Sequence, residues 1–330
     1  MAMNNNRIHV VAGVIVDSSG PKEQILIAKR PDHVHQGGLW EFPGGKLEPG
    51  ESVEEGLRRE LKEELDIDVR QARPLIRIYH DYPDKSVLLD VWRVESYSGQ
   101  PHGRERQLIE WLETEKLSTR DFPVANQPIL MAASLPELYL ITPDLPEASH
   151  FSTRLDVFLK QLEASLAQGI RLMQLRTKTL SENEYITVAN EVLPLAHSFG
   201  CKVLLNGNPA LVLSLNADGV QLSSNKLSQV DRRPLPADKL VAASCHNQSE
   251  LNMAGKIGAD FCLLSPVKKT TSHPDTEPLG WAAFQSMTER QAMPVYALGG
   301  LSKQDLSEAL QFGAQGVSGI RSLWEDQRRF

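Results

Sequence analysis

The stretch Gly44-Gly45-Lys46-Leu47-Glu48-Pro49-Gly50-Glu51-Ser52-Val53-Glu54-Glu55-Gly56-Leu57-Arg58-Arg59-Glu60-Leu61-Lys62-Glu63-Glu64-Leu65-Asp66-Ile67 decides the reading of the first part of this chain. Val53, Leu57, Leu61 and Leu65 recur at helical spacing, and Ser52 with Glu55 three residues on has the form of a capping box, so the pattern predicts a helix over 53–65. Glu60, Glu63 and Glu64 stand at i, i+3 and i+4, which puts them on one face of that helix. Three carboxylates there repel one another. One reading is a solvated acidic face balanced by Arg58, Arg59 and Lys62. The other is chemical: Gly44-Gly45 lets the backbone approach a ligand closely, and oxygen donors beside a glycine loop suit a hard divalent cation.

Outward from this helix, the aliphatic runs 10–16 and 24–28 flank the turn-rich Asp17-Ser18-Ser19-Gly20-Pro21 and predict a hairpin. Further strands are expected over 87–94 and 109–111, and 130–134 fits the end of a closing helix before a boundary at Leu135-Pro136. The rhythm then changes. Short apolar runs at 138–142, 172–176, 202–206, 219–222, 240–244, 261–265, 294–298 and 316–320 alternate with helical patterns. Such alternation predicts a compact (β/α)8 barrel over 136–330, with an open doubly wound sheet as the alternative, because periodicity does not show closure.

Length and charge limit the function classes. At about 150 residues per domain, 330 residues predict two domains, 1–135 and 136–330. The 42 acidic and 35 basic side chains leave a net charge of −7, which argues against direct binding to nucleic acid through a cationic field. No run approaches the roughly 18 apolar residues of a membrane span, and no basic segment leads into an apolar one at the start, so no membrane partner and a cytoplasmic location are expected. Cys201, Cys245 and Cys262 are scattered and odd in number, which encodes neither a disulfide framework nor a zinc site and predicts buried thiols.

Gly45, Glu51, Arg59-Glu60, Leu61, Glu63-Glu64 and Ile67 have the residues and spacing of the Nudix box, and the first part of the chain resembles Nudix hydrolases over about 7–135. Asp66 departs from the glycine usual in that box, and Asp tolerates the left-handed conformation that ends the helix. Glu41 to Lys46, Gly103-Arg104-Glu105 with Glu110-Trp111, and Asp121 to Pro128 resemble the MutT branch, the 8-oxo-dGTP diphosphatases. The resemblance implies an α/β/α sandwich around a mixed sheet, and a Mg2+ ion, with Mn2+ as an alternative, joining Gly45, Glu60, Glu63, Glu64 and Glu105 to the phosphates of a nucleoside triphosphate. Water would attack the β-phosphorus, releasing 8-oxo-dGMP and pyrophosphate from 8-oxo-dGTP. Glu60 is expected near the attacking water with Glu105 as a supplementary ligand, although the residues leave the base open between these two. Arg59 is expected to orient the glutamates by bidentate pairing and Glu51 to support the metal shell. Asn126 would read the oxidised purine with donor and acceptor together, Phe42 would pack near the base and Arg30 would assist recognition.

The second part resembles thiamine phosphate synthase and its TenI-like relatives over about 138–322. The resemblance rests on Gln174-Leu175-Arg176-Thr177-Lys178, Ser244 with His246, Pro266 with Thr270 and Ser272, Gly299-Gly300, and 316–322. It implies a TIM-type barrel with a thiamine-related phosphate ligand, held by Gln174, Arg176, Lys178, Ser244, Gly299 and Gly300. The metal site of the family is altered: Asn206-Gly207 stands where the synthases carry Asn-Asp, Lys226 where they carry Asp, and His273 where they carry a phosphate-segment lysine. A barrel without synthase activity is therefore expected, kept either for packing or for binding a phosphorylated ligand. The leading expectation is Mg2+-dependent hydrolysis of 8-oxo-dGTP. The alternatives are a Nudix pyrophosphatase for thiamine-pathway pyrophosphates and a barrel that senses a phospho-ligand and regulates the Nudix domain.

Overall fold

The computed structural model describes residues 7–33, 36–81, 86–104, 107–147, 150–270 and 276–325. The chain divides into two compact units, Met1–Ser134 with Glu289–Ala292 and Leu135–Thr288 with Met293–Phe330. The first unit runs β1 (Ile8–Asp17), β2 (Gln24–Lys29), β3 (Trp40–Glu41), β4 (Gly44–Lys46), α1 (Val53–Leu65), β5 (Asp68–Asp81), β6 (Ser86–Ser98), β7 (Ile109–Glu113) and α2 (Gln127–Ser134). Its mixed seven-stranded sheet has the order β3-β2-β1-β6-β5, with β4 paired to β1 and β7 to β2. The expected hairpin is present as the antiparallel β1–β2 pair, while β1 and β6 run parallel.

Alternation along β1 builds two cores. Val11 and Ile15 pack with Leu57, Leu61 and Leu65 of α1. Ala12, Val14 and Val16 pack with Ile129, Ala132 and Ala133 of α2 on the other face, which gives the α/β/α sandwich. Each of the three α1 leucines is fully buried and contributes on the order of 1.5–3 kcal/mol of burial free energy, so the rotation of α1 on the sheet is fixed. β5 carries no clear strand signal in the sequence. Pro74 lies within it, and register shifts between Val69 and Gln71, Gln71 and Ala72, and Pro74 and Ile76 break its alternation against β6.

The second unit alternates β8 (Leu138–Ile141), α3 (Phe151–Ala167), β9 (Leu172–Leu175), α4 (Glu182–Ser198), β10 (Lys202–Asn206), α5 (Pro209–Ser214), β11 (Gly219–Leu222) and α6 (Ser224–Leu227). It continues through β12 (Leu240–Cys245), α7 (Gln248–Lys256), β13 (Phe261–Leu264), α8 (Gly280–Thr288), β14 (Val295–Leu298), α9 (Leu306–Gln311) and β15 (Val317–Gly319). The eight parallel strands close on themselves through β15–β8 pairing, so the open-sheet alternative is excluded. One set of strand residues, including Met173, Val203, Val220, Val241, Cys262 and Val317, joins the outer core. The other set fills the barrel. Tyr139, Phe261 and Tyr296 meet there with ring centroids 5.4–5.5 Å apart. All three cysteines are buried and free, as their apolar surroundings predicted. Among the described residues no helix is long and apolar enough to cross a membrane.

Candidate active site

Helix α1 begins where the sequence placed it: Ser52 accepts the Glu55 backbone N–H, and the Glu55 carboxylate accepts the Ser52 backbone N–H at 2.9 Å. It ends at Asp66 in the left-handed conformation (φ 57°, ψ 32°), whose N–H turns back to Leu61 and Lys62 carbonyls. The Asp66 carboxylate then pairs with Lys62 at 3.0 Å and Arg104 at 2.8 Å, contacts that a glycine could not make.

With its apolar face fixed, α1 presents Arg59 as a hub. Its Nε and Nη2 donate to the two oxygens of Glu51 at 2.9 Å each, and Nη1 donates to Glu60 Oε1 at 2.9 Å. Nη2 also reaches the Lys46 carbonyl at 3.0 Å, and Nη1 contacts Glu63 at 3.4 Å. These bonds hold the Arg59 guanidinium above its ordinary pKa, chiefly through Glu51, and hold Glu51 below the usual carboxylate range. The bidentate fork fixes direction as well as charge. Glu60 is drawn in to 13% side-chain exposure while Glu63 stays 61% exposed, so the three glutamates of one helical face have different surroundings.

Glu64 takes a third course and accepts the Gly44 backbone N–H at 3.0 Å. Burial pushes its carboxyl up to about 7, with the Gly44 bond opposing and the charges of Glu41 and Glu60 adding to the rise. Gly45 explains itself by geometry, since a Cβ there would lie 2.3 Å from Glu60 Oε2. Among the described residues no three His, Cys, Asp or Glu side chains converge closely enough to hold a metal ion. Glu60 is turned onto Arg59, Glu64 onto Gly44, and Glu63 outward. The donor set nevertheless fits a hard divalent cation: oxygen alone, mutually repelling carboxylates, and a glycine in β4 where any side chain would displace Glu60. Glu105 lies outside the described residues.

A residue without a role in the sequence reading, Glu41, links this cluster to the expected base site. The β2–β3 ladder sets Ala28 opposite Glu41, and the Arg30 guanidinium pairs with the Glu41 carboxylate. Burial raises the Glu41 pKa despite that partner. Its signal in the sequence is its place at the head of the segment Glu41 to Lys46, shortly before the glycines. Phe42 is 4% exposed and stacks on Phe122 at 5.6 Å, so it is a core wall of the site. The Trp40 N–H donates to the Asp121 carbonyl at 2.8 Å, tying the strand to the following loop. In that loop Val124–Asn126 forms a single 3-10 turn, with the Asn126 N–H on the Pro123 carbonyl at 2.9 Å. The Asn126 side-chain amide is half-buried and has no partner among the described residues.

In the barrel, Gln174 is buried and its Oε1 accepts from Asn206 Nδ2 at 2.9 Å. The Tyr139 hydroxyl donates to Gln221 Oε1 at 2.9 Å, and Gln221 Nε2 donates to Ser244 Oγ at 3.1 Å. Asn206, Gln221 and Tyr139 thus add neutral partners to Gln174 and Ser244; of these three the sequence singled out only Asn206, as part of the altered metal segment. Arg176 and Lys178 follow β9; the Arg176 backbone is held by Thr142 Oγ1 and the Lys178 N–H by Asp144. Gly299 and Gly300 both have positive φ (102° and 68°), and a Cβ on either would collide with the 266–269 backbone. Packing alone therefore requires these glycines. Asn206-Gly207 and Lys226 end β10 and occupy α6, whereas Ser272 and His273 lie outside the described residues.

The fold and these clusters define a two-unit α/β protein, one unit built like a hydrolase around an acidic helix and the other a parallel barrel. A NUDIX domain model matches residues 11–132, and a thiamine monophosphate synthase model matches residues 138–323. The chain is 34% identical over 191 residues to the putative thiamine-phosphate synthase 2 of Aquifex aeolicus, covering 58% of this chain and 99% of that one. It is 34% identical over 124 residues to the 8-oxo-dGTP diphosphatase of Escherichia coli, covering 38% of this chain and 94% of that protein. Over 98 residues it is 43% identical to the 8-oxo-dGTP diphosphatase of Proteus vulgaris, covering 30% of this chain and 85% of that one. The chain belongs to the Nudix hydrolase family through its first unit and to the thiamine monophosphate synthase family through its barrel. The first unit is a pyrophosphohydrolase of the nucleotide-acting kind.

Proposed function

We propose that the first unit hydrolyses 8-oxo-dGTP to 8-oxo-dGMP and pyrophosphate, removing an oxidised nucleotide before it can be copied opposite adenine. The observation that carries the reading is the Arg59 fork, which holds Glu51 and Glu60 in fixed directions beside a glycine that no side chain can replace without displacing Glu60. A divalent cation, Mg2+ or Mn2+, would be held by Glu60, Glu63, Glu64 and the Gly45 carbonyl, and it would supply neutralisation of the triphosphate charge and polarisation of a water. Arg59 keeps Glu60 from swinging away from that loop. Glu60 is the residue assigned to the proton of the attacking water, with Glu105 as a further ligand. The Asn126 amide, without a partner among the described residues, offers a donor and an acceptor to the oxidised base edge, with Phe42 and Arg30 assigned to assist recognition. Two relatives named as 8-oxo-dGTP diphosphatases support the substrate.

The fused barrel favours a second reading for its own unit: a site for a phosphorylated small molecule. The support is Arg176 and Lys178 just after β9, together with the Gln174–Asn206 and Gln221–Ser244 amide hydrogen bonds of neighbouring strands. Specificity constants of the full chain for 8-oxo-dGTP, dGTP and hydroxymethylpyrimidine pyrophosphate test the first reading. A clear preference for 8-oxo-dGTP is expected, and a preference for the pyrimidine pyrophosphate would replace it with a thiamine-pathway substrate.

A further inference from the structure

The last residue of each barrel strand and the two residues after it include no Asp or Glu: 141–143, 175–177, 206–208, 222–224, 245–247, 264–266, 298–300 and 319–321. This ring is the end of a parallel barrel where ligands are held. Asp144, one residue further out, is engaged by the Lys178 backbone N–H. At the end of β10, where a carboxylate could reach inward, Asn206 is bonded to Gln174 and Gly207 has φ 118°, a conformation that an aspartate adopts only with strain. Among the described residues, a divalent cation held by carboxylates, as the fold family implies, does not fit this mouth.

The charge that a cation would bring is present in another form. Arg176, Lys178 and Lys226 follow β9 and β11, and none of the three has an ion-pair partner among the described residues. Lys226 is exposed in α6, whose Ser223 cap is bonded to its backbone N–H, leaving the ammonium free to take an anion. The chain as a whole carries −7, so three cations without an ion-pair partner among the described residues, following two strands that flank β10, are a local reversal of sign. We propose that the barrel binds the pyrophosphate or phosphate group of a small molecule directly on Arg176, Lys178 and Lys226, without a divalent cation. This inference rests on reading the barrel as a phospho-ligand site.

Titration calorimetry of the full chain with inorganic pyrophosphate in EDTA tests it. Without metal the acidic face of the first unit repels pyrophosphate, so binding heat reports the barrel. Saturable binding is expected in wild type, unchanged in Glu60→Gln and weakened about tenfold in Lys226→Ala, in line with the loss of one charge-assisted contact. Binding that appears only when Mg2+ is supplied to Glu60→Gln overturns the metal-free inference, and binding in EDTA that ignores Lys226→Ala overturns the place of that lysine in it; either leaves the ligand site standing. No binding at millimolar pyrophosphate under either condition overturns both.

Discussion

Gly45→Ala separates catalysis from folding in the first unit. The Gly45 φ is not in the left-handed region, so alanine fits the backbone, and the three atoms nearest its new Cβ all belong to the Glu60 carboxylate, the closest at 2.3 Å. Ordinary contact begins near 3.4 Å, so the carboxylate must retreat by about 1 Å. The displaced group is the end of a flexible side chain, and replacing glycine lowers the entropy of the unfolded chain, so stability should stay within about 1 kcal/mol of wild type. Turnover should not survive so well, because a misplacement of about 1 Å at a reacting centre can cost on the order of 100-fold. The assay pairs kcat and KM for 8-oxo-dGTP with hydrogen exchange of the α1 peptides in the full chain. A fall in kcat of roughly 100-fold with unchanged exchange is expected. Wild-type kcat in this variant would refute the argument that Glu60 works from its place against Gly45.

Other substitutions probe single contacts. Glu64→Gln keeps the volume and the acceptor for the Gly44 N–H but removes charge from the cluster, so turnover should fall by orders of magnitude while the circular dichroism spectrum stays unchanged. Asn126→Ala should erase most of the preference for 8-oxo-dGTP over dGTP while retaining dGTP hydrolysis, as read by the ratio of specificity constants. Tyr139→Phe leaves Gln221 Oε1 without its donor inside the barrel and should cost about 1–3 kcal/mol in denaturant unfolding. Burial raises the Cys201 thiol to about 12 and the Cys262 thiol well above its usual value. Their thiolates therefore form only at strongly alkaline pH, and none of the three buried cysteines should react with a thiol reagent at pH 8 until the chain is unfolded.

Much of the local structure was legible in the sequence because local rules decide it. The capping box at Ser52, the four apolar positions of α1 and the left-handed Asp66 depend on residues within a few turns of one another. The eight short barrel strands are buried on both faces and read as apolar runs, which is why their positions were visible. Strand β5 was not, since Pro74 and three register shifts remove its alternation and only pairing with β6 makes it a strand. The glutamate cluster was visible as a pattern but not as three environments. Which carboxylate meets Arg59, which meets Gly44 and which faces solvent depends on the approach of β4 to α1, and that approach is set by a sheet whose members lie far apart in the chain.

By itself the sequence determined the two families, the helix with its acidic face, the number of barrel strands and the absence of carboxylates at Gly207 and Lys226. Those follow from residue identity and spacing. Only the tertiary structure decided that the barrel closes, because closure is the pairing of β15 with β8 across the whole unit. It alone showed that Gly299 and Gly300 are required by the backbone packed against them, and that Glu41 joins Arg30 to the glutamate cluster. Such facts depend on distances between residues remote in sequence, and spacing along a chain does not contain them.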